Sequence, residues 1–196
     1  MANSQPQLWL IRHGETEWSL SGAHTGRTDL PLTERGQQRA QAIGQFLNGR
    51  PFALVLTSPL QRARETCRLA GYGEQAVIDE NLREWDYGDY EGRSTADIRK
   101  DRPGWNLWAD GVVNGETVDQ VADRARVVIN RALFEGKNRQ GDCALFAHGH
   151  ILRILTGCWL RLAPNSGQLF ALDTATVSVL GWEHETRVIR SWNRSS

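Results

Sequence analysis

Leu8-Trp9-Leu10-Ile11-Arg12-His13-Gly14 is the stretch that decides the fold. Four apolar residues in a row, stopped abruptly by Arg-His-Gly, read as a buried strand that ends in a polar, functional loop. The pattern returns at Cys143-Ala144-Leu145-Phe146-Ala147, halted by His148-Gly149-His150, and a third short run at residues 53–57 stops at Ser58-Pro59. Between these runs the period changes. Thr33 is placed to cap a helix in which Ala40, Ile43, Gly44 and Leu47 recur at three- and four-residue spacing. Ser58-Pro59 reads as the start of another helix, with the serine as cap and the proline at the first helical position, running to Ala70 and stopped by Gly71 and Gly73. Thr117 and Gln120 make a capping box ahead of the stripe Val118, Val121, Ala122, Ala125, Val128, Ile129, Ala132 and Leu133, which Gly136 closes. A short apolar helix follows His150 to about Trp159, and the tail alternates over residues 176–182 and 187–192 as a hairpin around His184-Glu185. Strands alternating with helices predict an α/β domain, a three-layer α/β/α arrangement with a largely parallel central sheet and an antiparallel terminal hairpin.

The 196 residues fit a single domain spanning 1–196, with no repeat or linker and no separate regulatory module. Residues 80–115, where Gly88, Gly92, Gly104 and Gly111 lie among Trp85, Tyr87, Tyr90, Trp105 and Trp108, read as a lid-like excursion over the core. Twenty-three Lys and Arg balance 23 Asp and Glu, so the overall positive field expected of a nucleic-acid or anionic-membrane binder is missing and any anion site is local. The N-terminal Met-Ala-Asn-Ser-Gln-Pro-Gln lacks the basic start and apolar run of a secretory signal, and no apolar stretch approaches the roughly 18 residues that span a bilayer. A cytoplasmic protein, monomer or homodimer, is expected. Cys67, Cys143 and Cys158 show no CxxC spacing and read as buried, reduced thiols.

In open α/β sheets ligands bind beyond the carboxyl ends of the strands, so Arg12-His13 and His148 should meet at one site. Arg12 and Arg62 offer fork-shaped donors and His148 an imidazole N–H, a set suited to the three equatorial oxygens of a transferring phosphoryl group. His13, with a neutral ring, is the in-line nucleophile, giving a phosphohistidine that water hydrolyses, so neither metal nor cofactor is called for. The leaving alkoxide needs an acid. Glu84, in Leu82-Arg83-Glu84-Trp85, is the candidate, and the same carboxylate can then activate water. Zinc held by His13, His148, His150 and Glu84 is a competing chemistry, disfavoured because the aspartates are not clustered with the histidines. A binding module that has lost its chemistry is a further alternative, disfavoured because every required position is filled. His24 and His184 read as structural, Arg64 and Arg68 as solvated, and the eight tryptophans mainly as packing.

Five segments in order, Leu10-Ile11-Arg12-His13-Gly14-Glu15-Thr16-Glu17-Trp18, the run from His24 to Thr33, Ser58-Pro59-Leu60-Gln61-Arg62-Ala63, Glu84-Trp85-Asp86-Tyr87-Gly88 and His148-Gly149, resemble the phosphoglycerate mutase-like branch of the histidine phosphatase superfamily across nearly the whole chain. The resemblance implies the phosphoglycerate mutase-like fold, with His13 as the phosphorylated nucleophile, Arg12, Arg62 and His148 with Gly149 as the phosphate pocket, and Glu84 as the proton donor. It also implies that Ser19, Thr25 and Gly26 touch the phosphoryl group or the substrate. Phosphoglycerate mutases of this branch, which use 2,3-bisphosphoglycerate, are usually longer and follow the acidic residue with a basic or polar residue and an aromatic-Gly pair. Here Trp85-Asp86 intervenes before Tyr87-Gly88, and the residue 21–29 loop is more similar to sugar- and acid-phosphatase members. The expected activity is therefore hydrolysis of a small phosphorylated metabolite, a sugar phosphate or bisphosphate, with the mutase as the alternative.

Overall fold

The computed structural model describes residues 5–195. The chain runs β1 (Leu8–Arg12), α1 (Glu17–Ser21), α2 (Glu34–Leu47), β2 (Leu54–Thr57), α3 (Gln61–Leu69) and β3 (Ala76–Ile78). It continues through α4 (Thr95–Asp101), α5 (Leu107–Asp110), the long α6 (Val118–Arg139), β4 (Cys143–Ala147), α7 (Gly149–Trp159), β5 (Thr176–Glu183) and β6 (Thr186–Ser195). One sheet has the order β3-β2-β4-β1-β5-β6. The first four strands in that order are mutually parallel, and β5 and β6 add antiparallel at the other edge, the hairpin expected from the tail.

The pleat sorts the strand residues into two cores. Leu8, Leu10, Leu54, Leu56, Cys143 and Leu145 face α6 and α7, whereas Ile11, Val55, Ala144 and Phe146 face α2 and α3 through Ile43, Leu47 and Cys67. Successive side chains of a strand point to opposite faces, so strands covered on both sides are apolar throughout, and all five residues of β4 are buried. This is the three-layer arrangement. Truncating the fully buried Phe146 to alanine would cost about 3–5 kcal/mol.

Three local expectations need correction. α3 starts at Gln61, after Leu60, so Pro59 is not its first residue and Ser58 is not its cap. The reason lies in the sheet: the Ser58 N–H still bonds the Phe146 carbonyl at 2.9 Å, holding the chain extended past the point where the helix was expected. α6 runs through Gly136 and ends only at Arg139, capped by Gln140 in a left-handed conformation with φ 56°. Gly136 serves close packing instead of termination, because a Cβ there would lie 2.7 Å from Pro6. Residues 80–115 are no loose cover, since Trp85, Tyr87, Tyr90, Ile98, Trp105 and Leu107 are buried in the same cluster as α6 and α7. Large aromatic rings carry enough apolar area to make such an irregular segment part of the core.

The edge strand β3 was not anticipated from its three-residue length. Cys67 and Cys143 are buried free thiols as expected, while Cys158 is only half-buried. Among the described residues no helix is long and apolar enough to cross a membrane.

Candidate active site

The ladder between β1 and β4 pairs Arg12 with Ala147, so the two strands end level and release His13 and His148 side by side. The backbone keeps this alignment one residue further, where the His13 N–H donates to the Ala147 carbonyl at 2.9 Å. The two imidazole rings lie with centroids 5.1 Å apart. Ser58 leaves the neighbouring β2 at the same level, its N–H on the Phe146 carbonyl. A cavity of about 160 Å³ opens above these strand ends, lined by Arg12, His13, Glu84, Gly149 and residues of the 16–25 loop.

His13 Nδ1 lies 2.6 Å from the Gly14 carbonyl, which can only accept, so Nδ1 carries the proton and Nε2 keeps its lone pair. Burial holds the ring well below the usual histidine range, and the neighbouring guanidinium groups of Arg62 and Arg12 add to the effect. The His13 ring is thereby neutral at ordinary pH. Gly14 is fixed in turn, its N–H donating to the Thr66 hydroxyl at 3.0 Å.

Arg12 donates one Nη1 hydrogen to the Leu172 carbonyl, and its Nε is buried without a partner among the described residues. Burial costs this cation part of its basicity, offset by the charge of Glu84. A Cβ at residue 149 would come within 3.3 Å of the Arg12 guanidinium carbon, so Gly149 gives the arginine its room. The Glu84 carboxyl group sits at the start of α7. Oε1 accepts from the backbone N–H of Trp85 and Ile151, and Oε2 from that of His150, each at 2.9 Å. Backbone amide donors, two of them from the first turn of α7, thus hold the carboxyl group against the cavity.

The remaining expected residues stand differently. Arg62 is fully buried and does not line the cavity. Its Nε donates to His148 Nδ1 at 3.1 Å, Nη1 to the Thr28 carbonyl at 2.9 Å, and Nη2 to the carbonyls of Thr25 and Gly26 at 3.0 and 3.1 Å. Because Arg62 can only donate, His148 carries its proton on Nε2 and gives it to the Ser58 hydroxyl at 2.7 Å. Burial, with Arg62 and then His13, holds His148 well below the usual histidine range. The donors of Arg62 and the Nε2 proton of His148 are thus engaged by protein groups, and the pair forms a layer beside His13. Ser19 lines the cavity, yet its hydroxyl closes the capping box of α1 with Thr16. Thr25 also lines it, with its hydroxyl bonded to the Ala23 carbonyl. Gly26 lies outside the cavity, its N–H held by Glu91 and its carbonyl by Arg62.

Sequence reasoning missed another part of the cavity wall, where His24, Tyr87, His150 and Arg153 stand. Tyr87 and His150 share a 2.6 Å hydrogen bond between the hydroxyl and Nδ1. Burial raises the Tyr87 phenol well above its ordinary value and lowers both His150 and His24, so all three are neutral hydrogen-bonding groups. Arg153 packs its guanidinium 4.7 Å from the Trp108 ring centroid and donates to the Gly167 and Gln168 carbonyls, leaving other N–H groups for the cavity. One signal was available: Arg153 follows Gly149 and His150 by four and three residues, one turn along the same helix face. His24, taken as structural, belongs to this wall.

A larger cleft of about 580 Å³ lies around Gln61, Cys67 and Ile78, and no imidazole lines it. Among the described residues no group of three or more His, Cys, Asp or Glu side chains is arranged to hold a metal ion.

The family model of the histidine phosphatase superfamily (branch 1) matches residues 8–195. The chain is 40% identical over 183 residues to an acid phosphatase of Mycobacterium tuberculosis, covering 92% of this chain and 89% of that protein. It is 40% identical over 191 residues to sedoheptulose 1,7-bisphosphatase of Saccharomyces cerevisiae, covering 83% and 70%. A solved structure of an open reading frame product of Mycobacterium tuberculosis superposes with a TM-score of 0.90 at 37% identity, covering 97% of this chain and 98% of that one.

Proposed function

We propose that the chain, which belongs to the histidine phosphatase superfamily, is a phosphatase that hydrolyses a small phosphorylated sugar through a phosphohistidine on His13, without a metal. The observation that carries the reading is the His13 ring: its Nδ1 proton is committed to the Gly14 carbonyl, and its Nε2 lone pair stands free in a cavity beside the Arg12 cation. An imidazole held neutral can attack without first losing a proton.

In the first step Nε2 forms a bond to phosphorus as the bond to the ester oxygen breaks, and Glu84 gives its proton to the departing alkoxide. Arg12 balances the negative charge on the equatorial oxygens. In the second step Glu84 takes a proton from water, the water oxygen bonds phosphorus, and the P–N bond breaks to release inorganic phosphate and free His13. The sugar part rests on the far wall. Neutral His24, His150 and Tyr87 suit hydroxyl groups, and Arg153 suits an anionic substituent. The name of one sequence relative, sedoheptulose 1,7-bisphosphatase, supports the same substrate class, and that of the other, an acid phosphatase, supports hydrolysis.

Rapid quenching during turnover of a 32P-labelled sugar phosphate tests the reading. An acid-labile phosphoprotein forms in the wild type, and none forms in His13→Ala, which has no turnover. A panel of phosphorylated sugars and phosphoglycerates, run with and without 2,3-bisphosphoglycerate, shows phosphate release. Phosphoglycerate interconversion outpacing release, or turnover with no labelled protein, overturns it.

A further inference from the structure

We infer that Glu91 is a positioning residue for the phosphoryl site, acting through the 25–28 loop on the Arg62 guanidinium. The inference rests on the phosphatase reading of that site but concerns a residue outside the cavity. Arg62 is held on one side by His148 and on the other by three carbonyls of a single loop, those of Thr25, Gly26 and Thr28. A loop that turns three carbonyls onto one guanidinium must find partners for its N–H groups outside itself. Glu91 is such a partner. Its two carboxylate oxygens accept from the Gly26 N–H at 2.9 and 3.0 Å, and Oε1 also accepts from the Thr28 N–H at 3.0 Å.

The clamp is tight on its other faces. A Cβ on Gly26 would lie 2.5 Å from the Trp85 carbonyl and 2.7 Å from Glu91 Oε2, so only glycine fits between the residue after Glu84 and the clamp. The segment that carries Glu91 is itself stitched to the loop, with the Gly92 N–H on the His24 carbonyl at 2.8 Å and the His24 N–H on the Arg93 carbonyl at 3.0 Å. Glu91 therefore fixes the loop, the loop fixes the arginine, and the arginine fixes the tautomer and direction of His148 beneath the nucleophile. A carboxylate is suited to the position because it accepts from two backbone N–H groups at once, whereas a carboxamide turns an N–H donor of its own toward them.

The test uses Glu91→Gln in the full chain and orthovanadate, which takes the five-coordinate geometry of a transferring phosphoryl group, as the probe. Inhibition constants do not depend on the fraction of folded enzyme, so they separate positioning from simple loss of structure. The expected result is a vanadate inhibition constant raised roughly tenfold to a hundredfold, the range that follows from backbone donors left without a charged acceptor. kcat falls with it while KM changes less, because the Arg62–His148 pair that supports His13 matters most when the ring must be in line, in the transition state. In an Arg62→Lys background, where the fork that the loop holds is gone, the same substitution should raise the constant less than about threefold. An unchanged vanadate constant in Glu91→Gln, or equal losses in both backgrounds, overturns the inference while the phosphatase reading stands. A wild-type chain that neither hydrolyses sugar phosphates nor binds vanadate overturns both.

Discussion

Replacing Thr66 by valine removes one hydroxyl and almost nothing else, and the structure states what that hydroxyl does. Thr66 is fully buried on α3, one turn past Arg62. Its Oγ1 donates to the Arg62 carbonyl at 2.7 Å and accepts from the Gly14 N–H at 3.0 Å. The Gly14 carbonyl is the group that orients His13. Valine fills the same volume but strands the Gly14 N–H in a site closed to water, which costs about 1–3 kcal/mol. Taking about 2 kcal/mol, a chain of this size should melt roughly 4–8 °C lower. The catalytic loss is separate. A Gly14 peptide free to tilt carries the His13 ring with it, and misaimed nucleophiles lose rate steeply, so kcat should fall at least about tenfold with KM nearly unchanged. Circular-dichroism melting and steady-state hydrolysis of p-nitrophenyl phosphate give both numbers, and Thr66→Ser, which keeps the hydroxyl and loses a methyl, should retain most of kcat. A Thr66→Val protein that melts within a degree of wild type and turns over at a similar rate would refute the link from α3 to the nucleophile.

Two other expectations concern protons. His13, His148 and His150 are held neutral in the folded chain, chiefly by burial, with ordinary values near 6.5 once unfolded. Below that pH the unfolded chain takes up protons that the folded one refuses, so stability present at neutral pH is lost on acidification, by about 1 kcal/mol per ring between pH 6.5 and 5.5. Urea melts at the two pH values should therefore differ by about 3 kcal/mol; a difference well under 1 kcal/mol would mean that the rings are already charged in the fold. Glu84→Gln keeps an acceptor for the α7 N–H groups but cannot pass a proton, so its kcat should fall far more on sugar phosphates than on p-nitrophenyl phosphate, whose leaving group needs little protonation. Equal losses on the two substrates in parallel assays would remove Glu84 from the role of acid.

The sheet and the meeting of His13 and His148 at its strand ends were legible because Leu8 to His13 and Cys143 to His148 show an unbroken apolar run stopped by polar residues, a signal that depends on no partner outside the strand. What the side chains at those ends do was less so. Arg62 was expected to present its fork to the ligand, but the loop that claims its donors lies more than thirty residues away in sequence. Ser58 was read as a helix cap because local spacing favours it, and the sheet kept it extended and gave its hydroxyl to His148. Gly136 was read as a stop because its packing against Pro6 is a tertiary fact. The aromatics between Trp85 and Trp108 have no period at all, so their burial depends on shape, to which composition is blind. The roles of His150 and Arg153 in the cavity wall were hidden because His150 sits two residues from a stronger histidine, and Arg153 has the spacing of any solvated arginine on a helix.

The level ends of β1 and β4 have a consequence for how this chain can change over time. Backbone pairing acts as a ruler, so an insertion of one residue in either strand would turn its imidazole to the opposite side of the sheet and leave the pair apart. Lengthening the turns between Gly92 and Gly115 leaves that ruler untouched. Length can therefore drift outside the strands but not within them, and His150 and Arg153 of the cavity wall, which follow β4 directly on α7, are bound to the same ruler as the two imidazoles.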